Sequence, residues 1–290
     1  MTKQRGSAWS IKLAFNLYKL LGYKFIYYLM YPVTFFYFIF ASNVKDALQI
    51  YYKNLNLEFT NKVYYEHLRV FAICMVDRFI SKVDIDSYSF VFDDEDTPTN
   101  ILNNGSILLF SHFGGWAASV NSANVQNKIN IVMQETMMSG IKDIENSLES
   151  KSNTHIIDLN SGTLTVSVQI ANALINNEVV AIMGDRSSNE KANKKIEFLK
   201  KEANFNKNPF QIAYKTNKPI LVYFIILTGI QKYKIEWLRI DMDKDIKEDD
   251  AVLKAMKTYT KKYEEIIKTY PNQWLNFYNF WEKNNEINDR

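Results

Sequence analysis

Cysteine occurs once in this 290-residue chain, at Cys74. That excludes an internal disulfide and any CxxC metal or redox pair, and a reducing compartment is the natural reading. Histidine is nearly as scarce, with only His67, His112 and His155, and no HExxH zinc pair among them. An excess of charge of one sign is also missing. Lys plus Arg number 35 against 32 Asp plus Glu, a formal +3, too even a balance to direct the chain to nucleic acid. There is no GxSxG, no Walker A loop and no GxGxxG, which removes the nucleophile elbow, the P-loop cradle and the dinucleotide fingerprint.

What the chain has in abundance is aromatic side chains, 14% of the total. They crowd the N-terminal part, where "FIYYLMYPVTFFYFIFASNV" (25–44) carries no charge. Such a segment has the length of a hydrocarbon core, ~30 Å, if helical. Pro32 is expected to interrupt it, and so many tyrosines beside Lys19, Lys24 and Lys45 suit an interfacial, membrane-lying segment better than a lipid-centred span. No short apolar core with a small-residue cleavage site is present, so a secretory signal is not expected.

Apolar spacing predicts helices over 8–20, 22–41, 44–55 and 61–81. The acidic stretch "DDEDTPTNILNN" (93–104) reads as the junction between an N-terminal helical region, 1–92, and a second part, 93–290, in one continuous unit. Beyond it short apolar runs recur at 106–110, 129–133, 155–159, 179–183, 219–227 and 233–240. Helical stretches near 115–127, 140–150, 163–176, 205–216 and 250–269 separate most of them. Alternating strands and helices predict a layered α/β domain with a mostly parallel central sheet. Chemistry in such sheets gathers at the carboxyl ends of strands.

Two strand ends carry suitable residues. "SHFGGWAAS" (111–119) places His112 just past an apolar run. An imidazole there can act as a general base. Gly114 and Gly115 would allow close backbone approach by a substrate, and Trp116 would open a helix whose N–H groups favour an anion. Ser111 and His112 are neighbours on a strand and point to opposite faces, so they do not form a hydrolase dyad. At the second strand end, "VVAIMGDRSS" supplies Asp185 and Arg186, the latter suited to a phosphate or a developing oxyanion. His67 and His155 read as structural. The basic run 194–207 reads as solvated surface or as a contact for anionic lipid or a carrier protein. The acidic run 238–250 lacks the glycine and closing glutamate of a calcium loop, so no metal is expected. "NQWLNFYNFW" (272–281) reads as core packing or as part of an acyl-chain pocket.

Taken together, "LMYPVTFFYFIFA", "FAICMVDRF", "SHFGGWAAS", "VVAIMGDRSS", "FLKKEANFNKNPFQIAYKTNKPILVYF" and "QWLNFYNFW" resemble, in order, blocks of the lysophospholipid acyltransferase superfamily, in the branch of bacterial lipid A biosynthesis acyltransferases. The resemblance covers nearly the whole chain. It implies transfer of a fatty acyl group from an acyl carrier protein or coenzyme A thioester to a hydroxyl of a lipid or glycolipid. The thioester is then a co-substrate, and no cofactor or metal is needed. It implies His112 as base and substrate contacts from Gly114, Gly115, Trp116 and Arg186. It also implies a place on the cytoplasmic face of the inner membrane. Asn208, a further candidate substrate contact, stands before Pro209, where the family often has glycine.

One departure is conspicuous. The family pattern puts an acid five residues after the histidine, and here that position is Ala117. Either another carboxylate orients His112, with Glu135 preferred ahead of Asp158 and Asp185, or the protein is a catalytically silent lipid- or carrier-binding relative. A lipid hydrolase, with water in place of the alcohol, is a remoter alternative.

Overall fold

The computed structural model describes residues 8–119, 127–134, 153–186 and 190–282. The expected helix at 140–150 and most of that at 115–127 lie outside them. The chain opens with α1, Ala8–Phe40, which bends at Gly22 (φ 76°, ψ 175°). The bend falls between the two helices expected from spacing, because only glycine enters that region of φ without strain. Pro32, expected to interrupt the segment, does not: α1 runs through it. A proline removes one intrahelical bond, and here the residue before it is held from outside the helix, since Tyr65 Oη donates to Tyr31 O at 3.0 Å and Arg69 lies over the Tyr31 ring.

At Ala41 the chain turns by 90° into α2, Ser42–Asn54, with Tyr64 Oη donating to Ala41 O at 2.8 Å. Then α3, Asn61–Val83, begins at Thr60, whose hydroxyl accepts from the Val63 N–H. Tyr23, Ile26, Met30 and Thr34 form the buried stripe of α1, while Phe25, Tyr28, Phe35, Phe36, Ile39 and Phe40 are exposed. Among the described residues no single helix is long and apolar enough to cross a membrane. The bent pair Leu13–Phe40 and Ser42–Asn54 passes that test only together.

The main sheet has seven strands in the order β1-β9-β8-β2-β5-β3-β4. Its members are β1 (Ser89–Phe92), β2 (Ile107–Phe110), β3 (Ile129–Met133), β4 (Thr154–Asp158), β5 (Val179–Met183), β8 (Ile220–Gly229) and β9 (Lys232–Ile240). All neighbours are parallel except β8 and β9. The six strands expected from apolar runs are all present. Alternate residues separate the two faces. Ile107, Leu109, Val180, Ile182, Val222 and Phe224 pack on one side with α8 (Glu248–Thr269). Leu108, Phe110, Ala181, Leu221 and Ile225 pack on the other with Ile26 and Met30 of α1. α3 feeds both clusters, through Tyr64 and Leu68 to the first and Ile73 and Ile80 to the second.

Three elements have no counterpart in the sequence reading. β1 pairs with β9 and α4 (Asp96–Asn103) follows it, so the acidic stretch is ordered rather than a bare junction. Pro98 sits in the first turn of α4, where its missing N–H has no intrahelical partner to lose. The third is a separate hairpin, β6 (Asn193–Phe198) with β7 (Lys201–Asn206). Ile196, Phe198, Ala203 and Phe205 form its buried face, while Lys194, Lys195, Lys200 and Lys201 of the basic run are exposed. After it, α7 (Asn208–Thr216) starts later than the helix expected from 205, because 201–206 are strand. The remaining helices are α5 (Trp116–Ser119) and α6 (Thr163–Ile175).

Candidate active site

β2 and β5 are adjacent and in register, Phe110 opposite Met183, so both chains leave the sheet at the same edge. Two residues past those paired ends stand His112 and Asp185. Asp185 Oδ1 and Oδ2 lie 3.0 and 3.2 Å from His112 Nδ1, and Oδ2 also accepts the His112 backbone N–H at 2.9 Å. Asp185 is wholly buried, whereas 28% of the His112 side chain remains accessible. A carboxylate only accepts, so Nδ1 carries the proton and Nε2 is the basic nitrogen.

The electrostatics agree with a neutral imidazole. Burial, then the charge of Arg186, lowers the His112 pKa, and Asp185 only partly offsets them. Burial alone would raise the Asp185 carboxyl. The His112 ring, the hydrogen bonds from that residue and Arg186 together outweigh it and hold Asp185 below the usual carboxylate range.

The acid on His112 is therefore Asp185. Glu135, the preferred candidate from sequence, lies outside the described residues. Asp158 ends β4, which β5 and β3 separate from β2, and its Oδ1 accepts from the Asn160 N–H. Ala117, in the family's usual acid position, lies on α5 beyond Trp116, whose ring meets the His112 ring edge-on at 6.1 Å.

The glycines serve the protein's own packing. Gly114 N–H donates to Gln273 O at 2.8 Å and Gly115 N–H to Ile225 O at 3.0 Å. A Cβ on Gly114 (φ +53°) would lie 1.9 Å from Ile225 O, and one on Gly115 2.2 Å from Tyr233 Cε1. Close approach is indeed what these glycines permit, but β8 and β9 occupy the space, and neither N–H is left for a substrate oxyanion.

The C-terminal aromatic motif holds the loop from the other side. Leu275 N–H donates to His112 O at 2.8 Å, and Phe113 pairs with Trp274. The Gln273 amide closes on both backbone groups of Leu227, accepting at 2.8 Å and donating at 2.9 Å. His67 Nε2 donates to Trp274 O at 2.9 Å while Nδ1 accepts from Tyr52 Oη at 3.1 Å. Burial lowers the His67 pKa to about 4, so this histidine is a neutral structural clamp. His155 is exposed on β4.

Arg186 is drawn into the same motif. Its Nη2 donates to Leu275 O (3.1 Å) and Asn276 Oδ1 (2.8 Å), and its guanidinium lies 5.0 Å from the Tyr278 ring centre. Its Nε is buried without a partner among the described residues. Asn208 is exposed at the start of α7 and joins the site only by donating its N–H to Asn206 Oδ1. Asn206 is the residue that the sequence concealed: its amide donates to Met183 O at 3.1 Å and its N–H to Gly184 O at 3.2 Å, bracing the turn that carries Asp185. In the acidic run, Asp241 pairs with Arg239 and Asp243 with Lys254.

A neutral histidine backed by a buried carboxylate, at the carboxyl edge of a parallel sheet, can accept a proton from an alcohol or water. The chain's class is that of the lipid acyltransferases. It belongs to the bacterial lipid A biosynthesis acyltransferase family, whose family model matches residues 23–283. Among solved structures it is similar to the 1-acyl-sn-glycerophosphate acyltransferase PlsC from Thermotoga maritima. The identity is 13% and the TM-score 0.41, over 85% of this chain and 98% of that one. No curated protein matches the chain in sequence.

Proposed function

We propose that this lipid acyltransferase moves a fatty acyl group from an acyl carrier protein or coenzyme A thioester to a hydroxyl of a lipid or glycolipid, with His112 as general base. The observation that carries this reading is the His112–Asp185 pair, with Nδ1 committed to the carboxylate and Nε2 open. His112 Nε2 takes the acceptor's O–H proton as the oxygen attacks the thioester carbonyl. The resulting oxyanion collapses, the C–S bond breaks, and the imidazolium returns the proton to the departing thiolate. No acyl-enzyme is needed, because the donor is already activated. Asp185 fixes the tautomer and stabilises the transient imidazolium, a role whose loss in a serine protease triad costs about 10⁴ in rate. Arg186, whose charge acts on His112, favours the oxyanion.

The silent-relative alternative drew its support from Ala117, and a carboxylate on His112 removes that support. The exposed aromatic face of α1, flanked by Lys19 and Lys24, is suited to lie in a membrane interface. We assign it to the cytoplasmic face of the inner membrane, where acceptor and thioester donor meet.

The test is acyl transfer by the purified protein and by His112→Ala, with labelled acyl carrier protein or acyl-coenzyme A and a membrane lipid extract. Label should enter lipid with the wild type, and His112→Ala should be at least about 10³-fold slower. Comparable rates would remove His112 as the base.

A further inference from the structure

Asp77 of α3 is wholly buried, and three phenols converge on it. Tyr23 of α1 and Tyr88, just before β1, both donate to Oδ1, at 2.5 and 2.9 Å. Tyr233 of β9 alone takes Oδ2. Burial raises the carboxyl to about 6, and the phenols offset this only in part. An apolar residue in this position would avoid that cost, so the arrangement is informative about what it holds.

Tyr233 is the link. Its ring stacks on Phe90 at 5.2 Å, and its Cε1 edge occupies the space where Gly115 would carry a Cβ. Gly115 is thus caught between that ring and Ile225 O, to which its N–H donates. The next residue, Trp116, meets the His112 ring edge-on. A displaced Tyr233 ring would shift the loop that carries the imidazole, and small misplacements of a reacting group are costly in rate.

We infer that Tyr233, tied by Asp77, is a positioning residue for His112, acting through Gly115 and Trp116. This rests on the reading of His112 as the base. Tyr23 offers an internal control, because its phenol donates to the same carboxylate while the ring that fills the space at Gly115 is that of Tyr233.

The experiment follows the imidazole directly. Side-chain NMR of ¹⁵N-histidine-labelled protein would be titrated for the wild type, Tyr233→Phe, Tyr23→Phe and Asp77→Asn, with His112→Ala assigning the signal among the three histidines. Thermal melts would be recorded alongside. Tyr233→Phe should move the His112 pKa by roughly half a unit and lower kcat about ten-fold, with KM little changed. Tyr23→Phe should leave the His112 signal and kcat in place while lowering the melting temperature. Asp77→Asn leaves an oxygen for Tyr23 and Tyr88 but turns an amide N–H toward Tyr233, and should move His112 as Tyr233→Phe does. An unmoved His112 in both Tyr233→Phe and Asp77→Asn would overturn the inference, and so would an equal effect of Tyr23→Phe. The titration needs no turnover. A wild type inactive with every donor would count against the proposed function, while the NMR comparison would still decide the role of Tyr233.

Discussion

Asp77 and Asp185 are both shut away from solvent, and they titrate in opposite directions: Asp185 is held low, while Asp77 is raised to about 6. Burial penalises both ionised forms, so the difference lies in the partners. Asp185 meets an imidazole that can take up charge, a backbone N–H and the nearby guanidinium of Arg186. The hydrogen bonds that lower Asp77 come from the neutral phenols of Tyr23, Tyr233 and Tyr88, and these recover just part of the burial penalty. Each environment suits the work assigned to the group. A base-orienting acid must stay ionised while its histidine gains a proton, whereas an anchor for tyrosines need only accept hydrogen bonds. The contrast extends to location, since one lies at the accessible edge of the sheet and the other beneath the loop behind it.

The largest effect that would break the comparison is on rate. Asp185→Asn should lower acyl transfer about 10³–10⁴-fold, because an amide can present an N–H to Nδ1 and favour the wrong tautomer. Steady-state kinetics on folded protein would check this, and a loss under ten-fold would mean that Asp185 is no more than an anchor like Asp77.

Next comes stability against pH, where Asp77 and His67 oppose one another. The folded-state pKa of Asp77, about 6, lies above its ordinary 3.8. Its contribution is therefore complete below the lower value and fades as pH rises through the upper one. His67 is lowered from 6.5 to about 4, so its contribution is complete above the upper value and is lost as pH falls through the lower. Each swing amounts to about 3 kcal/mol at full amplitude. Urea unfolding between the two limits should show His67→Gln losing stability with rising pH relative to wild type, and Asp77→Asn gaining it. Parallel curves for all three proteins would contradict both assignments.

The smallest effect sharpens the Asp185 side. Arg186 lowers the pKa of His112, second only to burial. Arg186→Gln should therefore move the acid limb of the kcat/KM profile to higher pH, by about half a unit. Movement to lower pH would show that the guanidinium does not act on the imidazole.

Much of the scaffold was legible in the sequence because it rests on local periodicity. Apolar runs announced six of the seven strands of the main sheet, the spacing of α1 broke where Gly22 needs a positive φ, and His112 and Asp185 stood visibly at strand ends. What stayed hidden depended on partners far along the chain. The hairpin β6–β7 was masked because its buried residues are interspersed with Lys194, Lys195, Lys200 and Lys201, and their common face emerges only when the two strands are paired. Asn206 looks like any loop amide until the turn after β5 arrives above it.

By itself, then, the sequence determined the α/β class, the family, and the two strand ends that carry chemistry. Tertiary structure decided which acid serves His112, because only the placement of β5 directly beside β2, in a register that ends both strands level, brings Asp185 within 3.0 Å. It also decided that residues 273–276 clamp the histidine loop and that Asp77 lies behind it. Strand order comes from packing between segments far apart in the chain, which no local pattern encodes.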